Sequence, residues 1–212
     1  MEFNTELYFI TDSSPYQKEE FLRRVEEALQ GGVTLIQLRE KERTTREYIE
    51  LAEAVHKITK RYGVPLIIDD RVDVMLASGA EGVHVGLDDM PVSMARKLIG
   101  PDKILGATAK TVERAIEAYQ SGADYLGVGA IYPTTTKVKT VLTSTETLKD
   151  ITESVPIPVN AIGGLNPSNM DVLKGIKISG VCAVSAIMKA EEPMIAALDM
   201  KKKVQELIGQ IS

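Results

Sequence analysis

In the stretch Gln37-Leu38-Arg39-Glu40-Lys41 an amide and two cations recur at every second position. Extended backbone alternates its side chains between two faces, so Gln37, Arg39 and Lys41 are expected to project together. A guanidinium offers a fork of donors matched to phosphate oxygens, and an ammonium adds a compact charge. That pair suits a dense anion such as pyrophosphate. The same cations could instead form a solvated edge paired with Glu40 and Glu42.

Carboxylates follow at two further points, Asp69-Asp70-Arg71 and Gly86-Leu87-Asp88-Asp89. Grouped acids without paired Cys or clustered His favour a hard ion such as Mg²⁺, which keeps waters and is shared with substrate phosphates. The competing role is helix capping. An Asp ahead of Val72, or ahead of Met90-Pro91, would accept from the first turn and complement its dipole.

Further along stand Gly106-Ala107-Thr108 and the long segment Gly127-Val128-Gly129-Ala130-Ile131-Tyr132-Pro133-Thr134-Thr135-Thr136-Lys137. Its hydroxyls, backbone amides and ammonium can bind phosphate, and a connection this long is often a functional flap, although a plain surface loop has the same composition. Gly127-Val128-Gly129 lacks the third glycine of a dinucleotide fingerprint. Two last segments, Ala161-Ile162-Gly163-Gly164-Leu165 and Ala183-Val184-Ser185-Ala186, are expected to bind phosphate, since the glycines of the first permit close backbone approach and helix N-termini point N–H donors at an anion, although the glycines could serve only the turn. His84 could serve as a base but reads better as a packed, hydrogen-bonded histidine, and Cys182, within Val181-Cys182-Ala183-Val184, reads as a buried thiol. Neither a Ser/His/Asp grouping nor a P-loop appears.

These segments all fall just after short β-rich runs, expected at Leu7-Thr11, Leu35-Leu38, Leu66-Ile68, Gly82-Val85, Ile104-Ala107, Tyr125-Val128, Pro158-Ala161 and Gly180-Val184. Amphipathic stretches separate them. Gln17-Gln30 and Thr45-Lys60 show helical spacing, and later helices are expected to begin near Val72, Val92, Thr111, Thr145, Asn166 and Pro193. The phrases at 77–83 and 120–126, Ala-Ser-Gly-Ala-Glu-Gly-Val and Gln-Ser-Gly-Ala-Asp-Tyr-Leu, are near-repeats of one helix-stop-strand unit. Eight such units favour an α/β fold in which one eight-fold β/α (TIM) barrel spans residues 1–212 as a single domain. In that fold the residues after each strand are the chemical ones.

Composition narrows the function classes. A net charge of −5 argues against a nucleic-acid partner, which would need a basic face. The apolar runs are strand-sized, so no membrane partner is expected. A polar, acidic start without a signal peptide and a single cysteine point to the cytoplasm. The oligomeric state is open, a homo-oligomer included.

Taken in order, the motifs QLREK, DDRVDV, GVHVGLDDMP, GVGAIYPTTTK, AIGGL and VSAIM resemble the thiamine phosphate synthase family across nearly the whole chain. The resemblance implies a transferase with two small-molecule substrates. It would join 4-amino-2-methyl-5-hydroxymethylpyrimidine diphosphate to 4-methyl-5-(2-phosphoethyl)thiazole, giving thiamine phosphate and pyrophosphate, with Mg²⁺ as cofactor. It further implies that Gln37, Arg39 and Lys41, with Leu38 and Glu40 of the same motif, meet the pyrimidine diphosphate beside Asp69. Asp70 and Asp89 would be magnesium ligands, and Thr108 and Lys137 further diphosphate contacts. Thr134, Thr135, Thr136, Gly164, Val184 and Ser185 would hold the thiazole phosphate. Arg39, Lys41 and Lys137 would stabilise the leaving group. The family usually carries Asn, Gln and Ser where this chain has Asp69, Leu87 and Thr108. A thiazole tautomerase of the same fold, or a silent thiamine phosphate binder, are the alternatives.

Overall fold

Each short β-branched or apolar run is a strand, and each is covered by the helical segment that follows it. The computed structural model describes residues 3–133 and 141–209. Its strands are β1 (Leu7–Ile10), β2 (Leu35–Leu38), β3 (Leu66–Asp69), β4 (Gly82–Val85), β5 (Ile104–Ala109), β6 (Tyr125–Gly129), β7 (Val159–Ile162) and β8 (Gly180–Ala183). They pair in parallel in chain order and β8 closes back on β1, so the barrel has no open edge. Nearly every strand residue is buried, as expected of a parallel sheet packed on both faces.

Alternation along each strand divides the core. Leu7, Phe9, Ile36, Leu38, Ile68 and Val83 pack outward against the helices. Tyr8, Ile10, Leu35, Ile67, Ile104, Tyr125 and Cys182 fill the interior, with Phe3 packed against this inner cluster. The helices are α1 (Lys18–Gln30), α2 (Thr45–Tyr62), α3 (Val72–Ser78), α4 (Val92–Ile99), α5 (Val112–Gln120), α6 (Thr145–Ser154), α7 (Ser185–Met188) and α8 (Pro193–Gly209). The start of α2 carries a capping box between Thr44 and Glu47. Among the described residues, no helix is long and apolar enough to cross a membrane.

The near-repeats share one device. After each glycine stop, Gly79 or Gly122, an acid reaches back to the preceding strand. Glu81 accepts from the amide of Leu66 at 2.9 Å and Asp124 from that of Leu105 at 2.8 Å. Strand and helix limits differ from the sequence expectation by one or two residues, with one exception. No α-helix begins near Asn166; a 3₁₀ turn at Met170–Leu173 takes its place. There the Asn166 side chain accepts from Ser168, and Asn169 bonds the backbone of Asn166 and Gly164. Such local bonds compete with the helical ladder. The four-residue α7 begins within the segment Ala183-Val184-Ser185-Ala186 and is too short to leave a periodic signal of its own.

Candidate active site

Inward positions at the C-terminal ends of β2, β3, β4 and β5 belong to Gln37, Asp69, His84 and Thr108, and the chain continues from them to Arg39, Lys41, Asp70, Asp89 and Lys110. All of these line one cavity. The common projection read from Gln37, Arg39 and Lys41 is therefore present.

The acids meet the cations at its rim. Lys41 Nζ stands 2.9 Å from Asp69 Oδ2 and also contacts the Asp70 carboxylate, while Arg39 Nε lies 3.7 Å from Asp69. Burial alone would lower the Lys41 pKa, but Asp69 and Asp70 outweigh it and raise it. Burial, followed by repulsion from Asp70, lifts Asp69 to about 6.

Asp70 adopts a left-handed φ of 61°, a conformation that Asp tolerates better than most residues. Its carboxyl hydrogen-bonds that of Asp89. Burial, then this bond, raises Asp89. In Asp70 the burial penalty is outweighed by the bonds to Lys41 and Asp89, which hold it low. The two carboxyls thus perturb each other at the spot where a cation could bind both. The turn is closed by Gly86, whose amide donates to Asp89 Oδ2 at 2.9 Å.

Capping is excluded for both acids. The residues at the caps of α3 and α4 are Arg71 and Pro91, and neither cap has a side-chain hydrogen bond. Among the described residues, no group of three or more His, Cys, Asp and Glu converges as a metal set. Two carboxylates nevertheless fit Mg²⁺, which is commonly held by one or two carboxylates, waters and substrate phosphates.

The floor of the cavity is a run of hydrogen bonds across the barrel. Gln37 Nε2 donates to the Tyr8 hydroxyl at 2.7 Å, and the hydroxyls of Tyr8 and Tyr125 lie 2.7 Å apart. His84 bridges Tyr125 and Thr108, with Nδ1 3.2 Å from the Tyr125 hydroxyl and Nε2 3.0 Å from Thr108 Oγ1. Burial pushes the His84 pKa down to about 4, so the ring is neutral and packed, as its sequence position suggested. Gly106 makes this contact possible: a Cβ there would stand 2.2 Å from the Tyr125 ring and 2.5 Å from His84 Nδ1.

Across the cavity, Gly163, Gly164, Val184 and Ser185 form the opposite wall. Gly163 and Gly164 have φ of 105° and 64°, conformations that favour glycine. Cys182 also lines the cavity, and burial raises its thiol pKa strongly, which disfavours the thiolate.

Two expected residues are not brought in. Alternation turns the fully buried Leu38 side chain outward into the helix layer, where its carbonyl accepts from Tyr48 at 2.7 Å. Glu40 is turned to Ser13 and Arg43, at 2.8 and 2.9 Å. Of these two residues only the backbone is left to meet a ligand in the cavity. Thr134, Thr135, Thr136 and Lys137 lie outside the described residues. Sequence reading passed over Lys110, Tyr8 and Tyr125. The first was findable, since it follows Thr108 by two positions; it donates to the Val141 carbonyl at 2.8 Å.

A family model described as thiamine monophosphate synthase matches residues 7–187. The chain is 52% identical over 203 residues to a thiamine-phosphate synthase 2 of Streptococcus pneumoniae, covering 96% of this chain and 97% of the relative. It is 47% identical over 203 residues to a thiamine-phosphate synthase of Clostridium tetani, with coverage of 96% and 94%. A solved thiamine phosphate pyrophosphorylase from Pyrococcus furiosus superposes with a TM-score of 0.87 at 40% identity, covering 96% and 97% of the two chains.

Proposed function

The chain belongs to the thiamine monophosphate synthase family, and from that premise we propose how its cavity divides the work. It joins the pyrimidinylmethyl group of 4-amino-2-methyl-5-hydroxymethylpyrimidine diphosphate to the nitrogen of 4-methyl-5-(2-phosphoethyl)thiazole, releasing pyrophosphate. The diphosphate occupies the rim of Arg39, Lys41, Asp70 and Asp89. The thiazole phosphate lies against Gly164, Val184 and Ser185, with Thr134, Thr135 and Thr136 assigned to the same group.

The supporting observation is that two hydrogen-bonded carboxyls and two cations from neighbouring strand ends share one cavity. Asp70 and Asp89 would hold Mg²⁺, which when bound offsets the charge of the departing diphosphate. Arg39, Lys41 and Lys110 supply donors to the same oxygens, and Lys137 is assigned to that side.

The bond between the pyrimidinylmethyl carbon and the diphosphate oxygen breaks first, its electron pair leaving with pyrophosphate. The electron-rich pyrimidine ring stabilises the resulting cation. The thiazole nitrogen then donates its lone pair to form the C–N bond. No proton moves in either step, which agrees with a floor where His84 is neutral and already bonded on both nitrogens. A cytoplasmic address belongs to the same proposal.

Pyrophosphate release that requires both substrates and Mg²⁺ is expected. Turnover of a thiazole substrate without diphosphate or metal would point instead to the tautomerase, and binding without turnover to a silent binder.

A further inference from the structure

Tyr125 does not line the cavity, yet its hydroxyl joins the two halves of the floor. It is fully buried on β6, with its ring edge-on to Tyr8 at 5.6 Å and to Phe3 at 5.9 Å. Through Tyr8 it reaches Gln37 on β2, and through His84 it reaches Thr108 on β5. A hydroxyl has a single proton, so the run can be ordered in only two self-consistent ways.

In one order Gln37 donates to Tyr8, Tyr8 to Tyr125, and Tyr125 to His84 Nδ1. The imidazole then carries its proton on Nε2 and donates to Thr108. This leaves the Gln37 amide oxygen as an acceptor toward the cavity and the Thr108 proton as a donor. In the reverse order Thr108 spends its proton on His84, and Gln37 presents its NH₂ group instead. The observed Gln37 Nε2 to Tyr8 contact belongs to the first order. So does the chemistry of the ends, because a hydroxyl beside a diphosphate must donate.

We infer that Tyr125 is a positioning residue whose hydroxyl orders this run, making Gln37 an acceptor for the 4-amino group of the pyrimidine and Thr108 a donor to its diphosphate. The inference rests on the substrate assignment above and extends it to ring selectivity. The exocyclic amine carries the only N–H donors of that pyrimidine, and the ordered run aims an acceptor at them. A 4-oxo ring would replace that exocyclic donor with a carbonyl set against the amide oxygen, a mismatched pair.

The test compares binding of the 4-amino and 4-oxo pyrimidine diphosphates, with Mg²⁺ and no thiazole phosphate, by titration calorimetry. The native chain is expected to favour the amine by about tenfold or more. Tyr125→Phe keeps the ring and removes the hydroxyl, so the amide can turn over and the ratio falls toward one. Tyr8→Phe does the same, and Tyr8→Phe/Tyr125→Phe together lose no further selectivity, because both cuts sever one run. A packing defect would weaken both ligands equally and leave the ratio intact.

If Tyr125→Phe fails to fold by circular dichroism, Tyr8→Phe carries the comparison. An unchanged ratio in the folded variant, a native preference for the 4-oxo ring, or a native chain that binds neither diphosphate overturns the inference. A native chain that binds the amine selectively but releases no pyrophosphate when thiazole phosphate is added upholds it and sinks the synthase mechanism.

Discussion

The ammonium of Lys41 lies 2.9 Å from an Asp69 oxygen and touches the Asp70 carboxylate as well. One cation therefore serves two adjacent acids before any ligand arrives. The position that family resemblance would give to a neutral Asn holds a third rim charge here, and Lys41 and Arg39 answer it.

Asp69 should make the metal-free chain less stable as pH rises. Its folded pKa of about 6 lies above the ordinary 3.8, so its contribution is fully present below 3.8 and is lost as pH passes through 6. The shift amounts to at most about 3 kcal/mol. Asp69→Asn is expected to flatten this slope in urea unfolding followed from pH 4 to pH 7 in the presence of a chelator. An identical slope in the variant would assign the burden to another group.

Removing either member of the acid pair should weaken the metal site. Asp70→Asn and Asp89→Asn are each expected to raise the Mg²⁺ concentration for half-maximal pyrophosphate release by tenfold or more, while chelation abolishes release. Unaltered metal dependence in both variants would move the ion elsewhere.

Leaving-group stabilisation can be read from single-turnover rates. Arg39→Ala should slow bond breaking by about a hundredfold, the scale of a lost charge-assisted donor in a water-poor site. Lys110→Ala should cost about tenfold, as its ammonium is also bonded to Val141. Rapid-quench rates equal to the native rate would remove these cations from the chemistry.

Gly106→Ala tests the crowding beneath the cavity. The added methyl would collide with Tyr125 at 2.2 Å and with His84 at 2.5 Å, both in the packed barrel interior. Overpacking of this kind costs about 1–3 kcal/mol. For a domain of this size the melting temperature should fall by roughly 3–10 °C. A calorimetric scan that matched the native one would show that the floor can yield.

Much of this was legible in the sequence because period and position carry it. Strand alternation placed Gln37, Arg39 and Lys41 on one face, and barrel topology put Asp70 and Asp89 on neighbouring strand ends. What stayed hidden depends on contacts between distant strands. Tyr8 and Tyr125 sit in ordinary apolar runs, 117 residues apart, and nothing local announces that their hydroxyls meet. The outward turn of Glu40 likewise depends on Ser13, 27 residues away. Near Asn166, the Asn166 and Asn169 side chains took backbone partners that a periodicity count assigns to a helix.

The polar run beneath the cavity touches five strands, β1, β2, β4, β5 and β6, and is also part of what fills the barrel. Rim residues such as Lys110 can be exchanged one by one as selection explores new anions. A new heterocycle would instead demand coordinated replacement of several core side chains, with each intermediate leaving a buried group stranded. Divergence in such a scaffold should therefore be gradual around the mouth and abrupt at the base.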